Sequence, residues 1–247
     1  VFMDYRNCEL CPRRCGVDRT AGQTGFCGCP DTALVAKAML HKWEEPALAG
    51  SGGSGAVFFG GCTLKCKYCQ NSAISCGAAG KPVDSQALRE LFEKLIAEGA
   101  ENIDLVTATH FLPTVIPALS PKLPVPVVYN CGGYERVETL KELEGLVDIY
   151  LPDLKYADNR LAAALSAAPD YFEFAAPALK EMHRQVGGVV IGEDGLMKKG
   201  MIVRHLILPG CTRDAMQVLD FLKENLPDVP VSIMRQYTPQ ERCTVKG

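Results

Sequence analysis

Residues 56–71 read AVFFGGCTLKCKYCQN. The first four residues are continuously apolar and a glycine precedes and follows them, which is typical of a short strand buried on both faces. The three cysteines that follow, Cys62, Cys66 and Cys69, have the spacing C-x3-C-x2-C. We therefore predict a buried strand that presents three thiols on the loop at its carboxyl end.

Three thiols are informative because a closed metal site needs four ligands. A [4Fe-4S] cluster held by four cysteines has every iron ligated, whereas three cysteines leave one iron open to an external ligand. Cys62, Cys66 and Cys69 therefore indicate a cluster at which chemistry takes place. The other interpretations are a zinc knuckle with a distant fourth ligand, or plain core cysteines.

The chain beyond this loop alternates between predicted strands and helices. The strands are 56–59, 103–107, 125–129, 147–151, 202–208 and 229–234, and the helices are 85–99, 112–119, 135–146, 157–167, 175–186 and 213–225. Such alternation is typical of βαβ units and a parallel sheet. An α/β fold is expected, either an open doubly wound sheet or a barrel.

Polar or unusual residues follow one predicted strand after another. They are Gly60–Cys62, Thr107–His110, Asn130–Gly133, Asp153–Lys155, Pro209–Thr212 and Gln236–Tyr237. Both architectures place ligand sites at the carboxyl ends of their strands. A single convergent site is the simplest interpretation.

The first 50 residues are loop-rich and contain a second cysteine group. Its members are Cys8, Cys11, Cys15 and Cys27, and Cys29 competes with Cys27 as the fourth ligand. Four thiolates form a closed set that suits either a structural zinc ion or an auxiliary [4Fe-4S] cluster. We predict a small metal-binding lobe over residues 1–50 and the main domain over residues 51–247.

Composition limits the classes of partner. Of 247 residues, 47% are hydrophobic, the formal net charge is −3 and the pI is about 5.9, so no broad basic surface is expected to bind nucleic acid. No apolar run approaches the roughly 20 residues needed to span a bilayer, and the N-terminus does not resemble a signal peptide. A cytoplasmic protein without membrane partners is expected.

The twelve cysteines of the chain favour metal ligation over disulfides. The four scattered cysteines, Cys76, Cys131, Cys211 and Cys243, are interpreted as small core residues.

The stretch Gly61–Asn71 closely resembles the signature of radical S-adenosylmethionine (SAM) enzymes of the pyruvate formate-lyase activating enzyme-like branch. Tyr68 matches the aromatic residue that precedes the third cysteine of that signature. The resemblance extends from about Val57 to Tyr237, and the cysteine-rich start is similar to that of the less characterised relatives of activating enzymes. It implies a partial (β/α)6 TIM-like barrel with a small N-terminal cysteine-rich lobe.

The resemblance also implies an activity. A reduced cluster on Cys62, Cys66 and Cys69 would split SAM, and the 5′-deoxyadenosyl radical would abstract hydrogen from a peptide, protein or small-metabolite substrate. The implied electron donor is of the flavodoxin or ferredoxin type. One alternative is activation of a glycyl radical enzyme; an alternative of another class is a non-catalytic iron–sulfur or zinc protein in electron transfer or interaction.

The positions at which this family contacts SAM carry over to Asp153, Lys155, Arg204 and Tyr237, and Tyr68 is placed against the adenine. Thr107, Thr109 and Asn130 are further candidates for SAM binding, and the two threonine hydroxyls can bind polar groups of SAM. The chain departs from the family after the second strand, where Thr107-Ala-Thr-His110 replaces a Gly-Gly-Glu segment. Hydroxyl or carbonyl oxygens must then receive the SAM amino group, and His110 is assigned to the substrate side.

Overall fold

Strands and helices alternate along residues 3–239, the part of the chain that this computed structural model describes. The strands are β1 (Ala33–His41), β2 (Ser54–Phe59), β3 (Lys81–Val83), β4 (Ile103–Val106), β5 (Val127–Cys131), β6 (Ile149–Pro152), β7 (Val190–Ile191), β8 (Met197–Met201), β9 (Val203–Leu206) and β10 (Val231–Met234). The α-helices are α1 (Pro46–Ala49), α2 (Ser72–Ser75), α3 (Ser85–Ala97), α4 (Leu112–Ala118), α5 (Val137–Lys141), α6 (Asn159–Ser166), α7 (Tyr171–Val186) and α8 (Thr212–Asn225). A 3-10 helix covers Thr109–Phe111. None of the helices within the described range is long and apolar enough to cross a membrane.

Six parallel strands form the centre of the fold. Strands β2, β4, β5 and β6 pair in that order, and β9 pairs with β10. The two groups meet where Asp153, just beyond β6, forms a parallel bridge with Arg204 on β9, and Leu154 N–H donates to the Arg204 carbonyl (2.9 Å). This order confirms the predicted α/β class and is compatible with a six-stranded partial barrel.

Four further strands flank the six. β1 runs antiparallel to β2, β3 runs antiparallel to β1, and β7 and β8 form an antiparallel hairpin whose second strand lies beside β6. β1 forms because β2 offers it a partner from His41↔Ser54 to Val35↔Phe59. The predicted N-terminal lobe therefore contributes β1 to the large sheet.

The amphipathic pattern of residues 85–99 is confirmed as helix α3. Leu88, Phe92 and Leu95 are buried at a spacing that places them on one face of the helix. The Asp84 carboxylate caps the helix by accepting from Ala87 N–H (2.8 Å). This buried face packs the helix against the sheet. The spacing of its apolar residues was enough to predict the helix.

The predicted helix over residues 135–146 is wrong in length. Only Val137–Lys141 is α-helical, and Leu143 N–H then donates three residues back, to Leu140 (2.9 Å). Gly145 follows with a φ of +81°, a left-handed conformation that an α-helix cannot include. The apolar pattern there belongs to a turn rather than to further helix.

The scattered cysteines do not share one environment. Cys131 is buried on β5, as expected for a core residue, whereas Cys211 is half-buried and Cys76 is exposed. The expectation is therefore confirmed for Cys131 alone of these three. Cys243 lies outside the described residues.

Candidate functional site

The cysteine loop, residues 60–71, is fixed by the end of helix α6. Lys65 N–H donates to the Ser166 carbonyl (3.0 Å), and Lys67 N–H donates to the Leu165 carbonyl (2.8 Å). At its start Gly61 has a φ of +76°, and a Cβ there would collide with a neighbouring sulfur atom. Only glycine fits this position, so the path of the loop is set on both sides.

The thiols of Cys62, Cys66 and Cys69 line one cavity of about 140 Å³. The Ser166 hydroxyl donates to Cys66 Sγ (3.0 Å), and Ser75 Oγ lies 3.2 Å from Cys69 Sγ. Hydrogen bonds to the sulfurs are one means by which proteins tune iron–sulfur clusters. Three sulfurs facing one space form the donor set that a cluster with three protein ligands requires.

Burial affects the ionisation of two of these thiols. Burial, reinforced by the nearby Cys66, raises the pKa of Cys62 to about 12, and burial also raises the pKa of Cys66. Thiolate is the form that ligates iron, so the positive charge of a cluster would stabilise it here. Among residues 3–239, however, no three His, Cys, Asp or Glu side chains are grouped tightly enough to hold a metal ion as they stand. The donor chemistry fits a cluster, although the thiols are not drawn together.

A charged cluster lines the same cavity. Lys155 Nζ lies 2.5 Å from Asp153 Oδ2, and Arg204 Nε lies 3.1 Å from Asp153 Oδ1. The parallel bridge between the ends of β6 and β9 brings Asp153 and Arg204 together. The structure therefore joins three of the residues that the sequence assigned to SAM.

The charges of this cluster stabilise one another. Burial by itself would raise the pKa of Asp153, but the adjacent Lys155 and Arg204 outweigh it and hold that pKa below its usual value. Burial by itself would lower the pKa of Lys155, but Asp153 and the Cys66 sulfur raise it well above its usual value. All three groups are ionised at neutral pH, so the cavity presents fixed charges to a ligand.

Two further polar side chains complete the surroundings of Arg204. Asn130 Oδ1 accepts from Arg204 Nη2 (2.6 Å), which places another predicted site residue here. Glu44 Oε1 lies 3.3 Å from Arg204 Nη1. Sequence reasoning missed Glu44, because it lies in the connection between β1 and α1, outside any motif, and no spacing relates it to Arg204.

Tyr68 lies beside a second cavity of about 240 Å³, which Cys66, Cys69 and Lys155 also line. Its hydroxyl is 2.6 Å from the hydroxyl of Tyr156, so the phenol is oriented by a hydrogen bond. The ring is half-buried. Contact between Tyr68 and an adenine ring stays a prediction.

The structure does not bring all the predicted residues to this site. Thr107 lines the cavity of the three thiols. The buried Thr109 hydroxyl donates to Glu135 Oε1 (2.7 Å), so that side chain points elsewhere, whereas the buried His110 Nε2 lies 2.7 Å from the carbonyl of Gly60, at the start of the cysteine loop. Tyr237 is exposed and lines none of the cavities described here.

A wide cleft of about 910 Å³ opens beside the cavity of the three thiols. Asn130 and Arg204 line both spaces, so the two lie side by side. The side chain of Trp43 stands at the rim of the cleft, and Trp43 is 91% exposed. The cleft gives a bulky ligand access to the site.

The N-terminal cysteine group packs against the cysteine loop. Cys8, Cys11, Cys27 and Cys29 are buried, and Cys15 is partly exposed. Cys29 Sγ donates to the carbonyl of Gly60 (3.4 Å), directly before the loop thiols. The neighbouring Cys29 thiol lowers the pKa of Cys27.

Two arginines join the N-terminal segment to the rest of the protein. Arg13 Nε donates to the carbonyl of Thr63 in the cysteine loop (3.0 Å). The buried Arg19 donates to the His110 carbonyl (2.6 Å) and lies 3.7 Å from Cys8 Sγ. The second cysteine group is therefore fixed relative to the loop.

Glu135 leads to a prediction about stability. Burial raises its pKa to about 8, well above the usual value near 4.5, so folding favours the protonated form. Stability from this group is complete below the unfolded pKa and is lost as the pH rises through 8. We expect the free energy of unfolding of the wild type to fall by roughly 4 kcal/mol between pH 4.5 and pH 8 from this group, as measured by urea unfolding.

Glu135→Gln should remove that pH dependence, because an amide does not titrate. Glu142→Gln, a change at an exposed carboxylate close in sequence, is the matched control and should leave the wild-type profile unchanged. Identical profiles for wild type and Glu135→Gln would refute this assignment of the raised pKa.

Comparisons with known proteins place part of this site in a described family. Residues 48–112 match the family model of a 4Fe-4S single cluster domain. Over 252 aligned positions the chain is 30% identical to "Uncharacterized protein MJ0674" from Methanocaldococcus jannaschii, and the alignment covers 97% of this chain and 68% of that protein. The segment that matches the 4Fe-4S single cluster domain, residues 48–112, contains the whole cysteine loop.

Solved structures of SuiB from Streptococcus suis resemble part of the fold. For SuiB alone, with its precursor peptide SuiA, and with S-adenosylmethionine, the TM-scores are 0.47, 0.47 and 0.48. The sequence identities are 12–14%, and 74–76% of this chain is covered. The chain spans about 40% of the length of SuiB.

Proposed function

This chain belongs to the same family as MJ0674 of Methanocaldococcus jannaschii. From the C-x3-C-x2-C loop and the match of residues 48–112 to a 4Fe-4S single cluster domain, we propose that the chain is a radical SAM enzyme acting on a peptide, protein or small metabolite. Membership of the pyruvate formate-lyase activating enzyme-like branch is part of the proposal. One observation carries it: the thiols of the C-x3-C-x2-C loop share a cavity with Asp153, Lys155 and Arg204. A closed, four-thiolate electron carrier has no need of such a charged cavity.

Cys62, Cys66 and Cys69 would hold the cluster. When bound, a reduced [4Fe-4S] cluster supplies the electron that cleaves SAM to the 5′-deoxyadenosyl radical, which abstracts hydrogen from the substrate. The side chains of the protein would bind SAM and the substrate and orient them.

The charged residues have distinct roles toward SAM in this proposal. Lys155 would bind the carboxylate, since its ammonium borders the cavity beside the Cys66 sulfur. Asp153 would accept from the amino group or a ribose hydroxyl while it keeps its ion pair with Arg204. Tyr68 would lie against the adenine at the second cavity. Thr107 remains a candidate, whereas the hydrogen bonds of Thr109 give it another role.

The N-terminal group would hold either zinc or an auxiliary [4Fe-4S] cluster on Cys8, Cys11, Cys15 and Cys27, with Cys29 as the competing ligand. The position of Cys29 against Gly60 supports a role linked to the cysteine loop. An iron–sulfur centre there could pass electrons from a flavodoxin- or ferredoxin-type donor, whereas zinc would only order the segment.

Activation of a glycyl radical enzyme is the second candidate. A partner's glycine loop needs an open groove, and the cleft of about 910 Å³ beside the thiol cavity supports this option. The N-terminal arginines contact the cysteine loop and the start of the 3-10 helix, and neither residue lines the cleft. An open cleft also suits direct modification of a peptide.

The proposal is tested by anaerobic reconstitution with iron and sulfide. The reconstituted protein should form 5′-deoxyadenosine and methionine from SAM when dithionite is added, and samples without dithionite should form neither. If each chain binds four iron atoms at the cysteine loop but forms no 5′-deoxyadenosine, the result would favour the non-catalytic iron–sulfur alternative.

A further inference from the structure

The guanidinium of Arg204 lies between two spaces. Asp153 and Lys155 line the cavity of the three thiols, Glu44 lines the wide cleft, and Arg204 lines both. Arg204 Nε is directed to Asp153, while Nη1 is directed to Glu44. The Nε and Nη1 groups of Arg204 therefore contact different carboxylates, and Nη1 faces the cleft.

The Glu44 carboxylate is held at two points. Its Oε1 lies 3.3 Å from Arg204 Nη1, and its Oε2 accepts from Asn130 Nδ2 at 3.5 Å. A guanidinium and an amide, each facing one oxygen, form a receptor for a carboxylate. Both distances exceed the roughly 2.7–2.9 Å typical of charge-assisted hydrogen bonds. Glu44 therefore occupies this receptor loosely.

A second carboxyl group lies next to Glu44. Asp104 is fully buried, and its Oδ2 accepts from the same Asn130 amide (3.3 Å). Burial and the nearby Glu44 raise the pKa of Asp104 well above its usual value, so Glu44 carries the negative charge of this pair. The adjacent Trp43 is 91% exposed, so its indole packs against little that would hold the connection between β1 and α1 in place.

We propose that Arg204 and Asn130 form a carboxylate-binding site facing the cleft, which Glu44 fills in the free chain and which a carboxylate of the substrate takes over. The inference rests on the proposed function, in which the cleft receives the substrate. It defines the substrate class: the substrate is an acid, either a small organic acid or an acidic residue of a peptide. Lys155, which lines only the thiol side, remains for SAM.

Glu44 then acts as an internal competitor. The apparent affinity for an acid equals the intrinsic affinity multiplied by the fraction of chains in which the receptor is vacant. If Glu44 fills it nine times in ten, its removal raises the affinity about tenfold. Glu45 offers a matched control, since it has the same charge, is next in the chain and lines the same cleft.

The test uses the only tryptophan of the chain, Trp43, as a reporter at the rim of the cleft. The anaerobically prepared full chain is titrated with glutarate and with a blocked Gly-Glu-Gly peptide, and tryptophan fluorescence is recorded. Glutaramide and the Gly-Gln-Gly peptide are the neutral controls. Wild type, Glu44→Ala, Glu44→Gln, Glu45→Ala and Arg204→Met are compared after circular dichroism has shown which variants are folded.

We expect Glu44→Ala to bind the acids about tenfold more tightly than wild type, Glu45→Ala to change the affinity less than twofold, and Arg204→Met to lose the binding. Tighter binding of glutarate identifies a small acid as the substrate class, and tighter binding of the peptide identifies an acidic peptide. Should Glu44→Ala fail to fold, Glu44→Gln decides, since it keeps the side-chain volume while it removes the negative charge that pairs with Arg204 and one of the two acceptor oxygens; it should bind the acids severalfold more tightly.

Equal effects of Glu44→Ala and Glu45→Ala would overturn the proposal, because a general change of charge would then explain both. Acids that bind no better than their neutral amides would overturn it too. Binding to the cleft requires no SAM cleavage, so failure of the proposed function would be seen in the 5′-deoxyadenosine assay and not in this titration.

Discussion

Replacement of Cys62, Cys66 and Cys69 together by alanine is expected to reduce 5′-deoxyadenosine formation to less than about one-thousandth of the wild-type rate. The reason is that the triple variant lacks all three proposed ligands of the catalytic cluster, and Cys131, which also lines this cavity, can supply only one sulfur. The measurement is chromatography of SAM products after anaerobic reconstitution and reduction with dithionite.

The iron content of the same variant carries additional information. It should fall by about four atoms per chain relative to wild type, since one [4Fe-4S] cluster is lost. Iron that remains would belong to the N-terminal cysteine group, and zinc in its place would identify that group as a structural site. Cys211→Ala, at a half-buried thiol outside both groups, is the control and should keep both iron and activity. Turnover by the triple variant would disprove the proposed function.

Lys155→Met is expected to weaken SAM binding by about 100-fold, the equivalent of roughly 3 kcal/mol for a buried charge that loses its partner. Lys155 pairs with Asp153 at 2.5 Å and borders the thiol cavity. Methionine keeps most of the side-chain volume while it removes the charge, so the loss reports on electrostatics rather than on packing. Calorimetric titration of the reconstituted protein with SAM measures the effect.

Lys198→Met is the matched control for this variant. Lys198 also pairs with an aspartate, Asp194, at 2.6 Å, but on the exposed hairpin of β7 and β8. Its replacement should leave the affinity for SAM within twofold of wild type. If Lys155→Met binds SAM as the control does, Lys155 has no part in the recognition of SAM.

Local features of the site could be predicted from the sequence. The loop of Cys62, Cys66 and Cys69 follows β2 as expected, because a short apolar run between glycines encodes a buried strand whatever surrounds it. The meeting of Asp153 with Arg204 was also expected, since the carboxyl ends of neighbouring parallel strands lie at one edge of the sheet. Ligand roles for these residues stay predictions until the experiments above are done.

Other features could not be predicted, because they depend on where the chain turns after a strand. Thr107 has a φ of +60°, and the 3-10 helix Thr109–Phe111 begins directly afterwards. This turn directs Thr109 to Glu135, away from the site, and His110 to the carbonyl of Gly60 at the start of the cysteine loop. A single left-handed residue cancels a pattern that assumes extended backbone.

By itself the sequence determined the α/β alternation and the spacing of the loop thiols, since both depend on interactions between residues close together in the chain. Only the tertiary structure decided that Glu44 contacts Arg204, 160 positions away, and that Cys29 lies against Gly60. Contacts of that kind arise when the packing of the sheet brings distant segments together. Burial then decides which polar side chains pair, and no local pattern in the chain records that outcome.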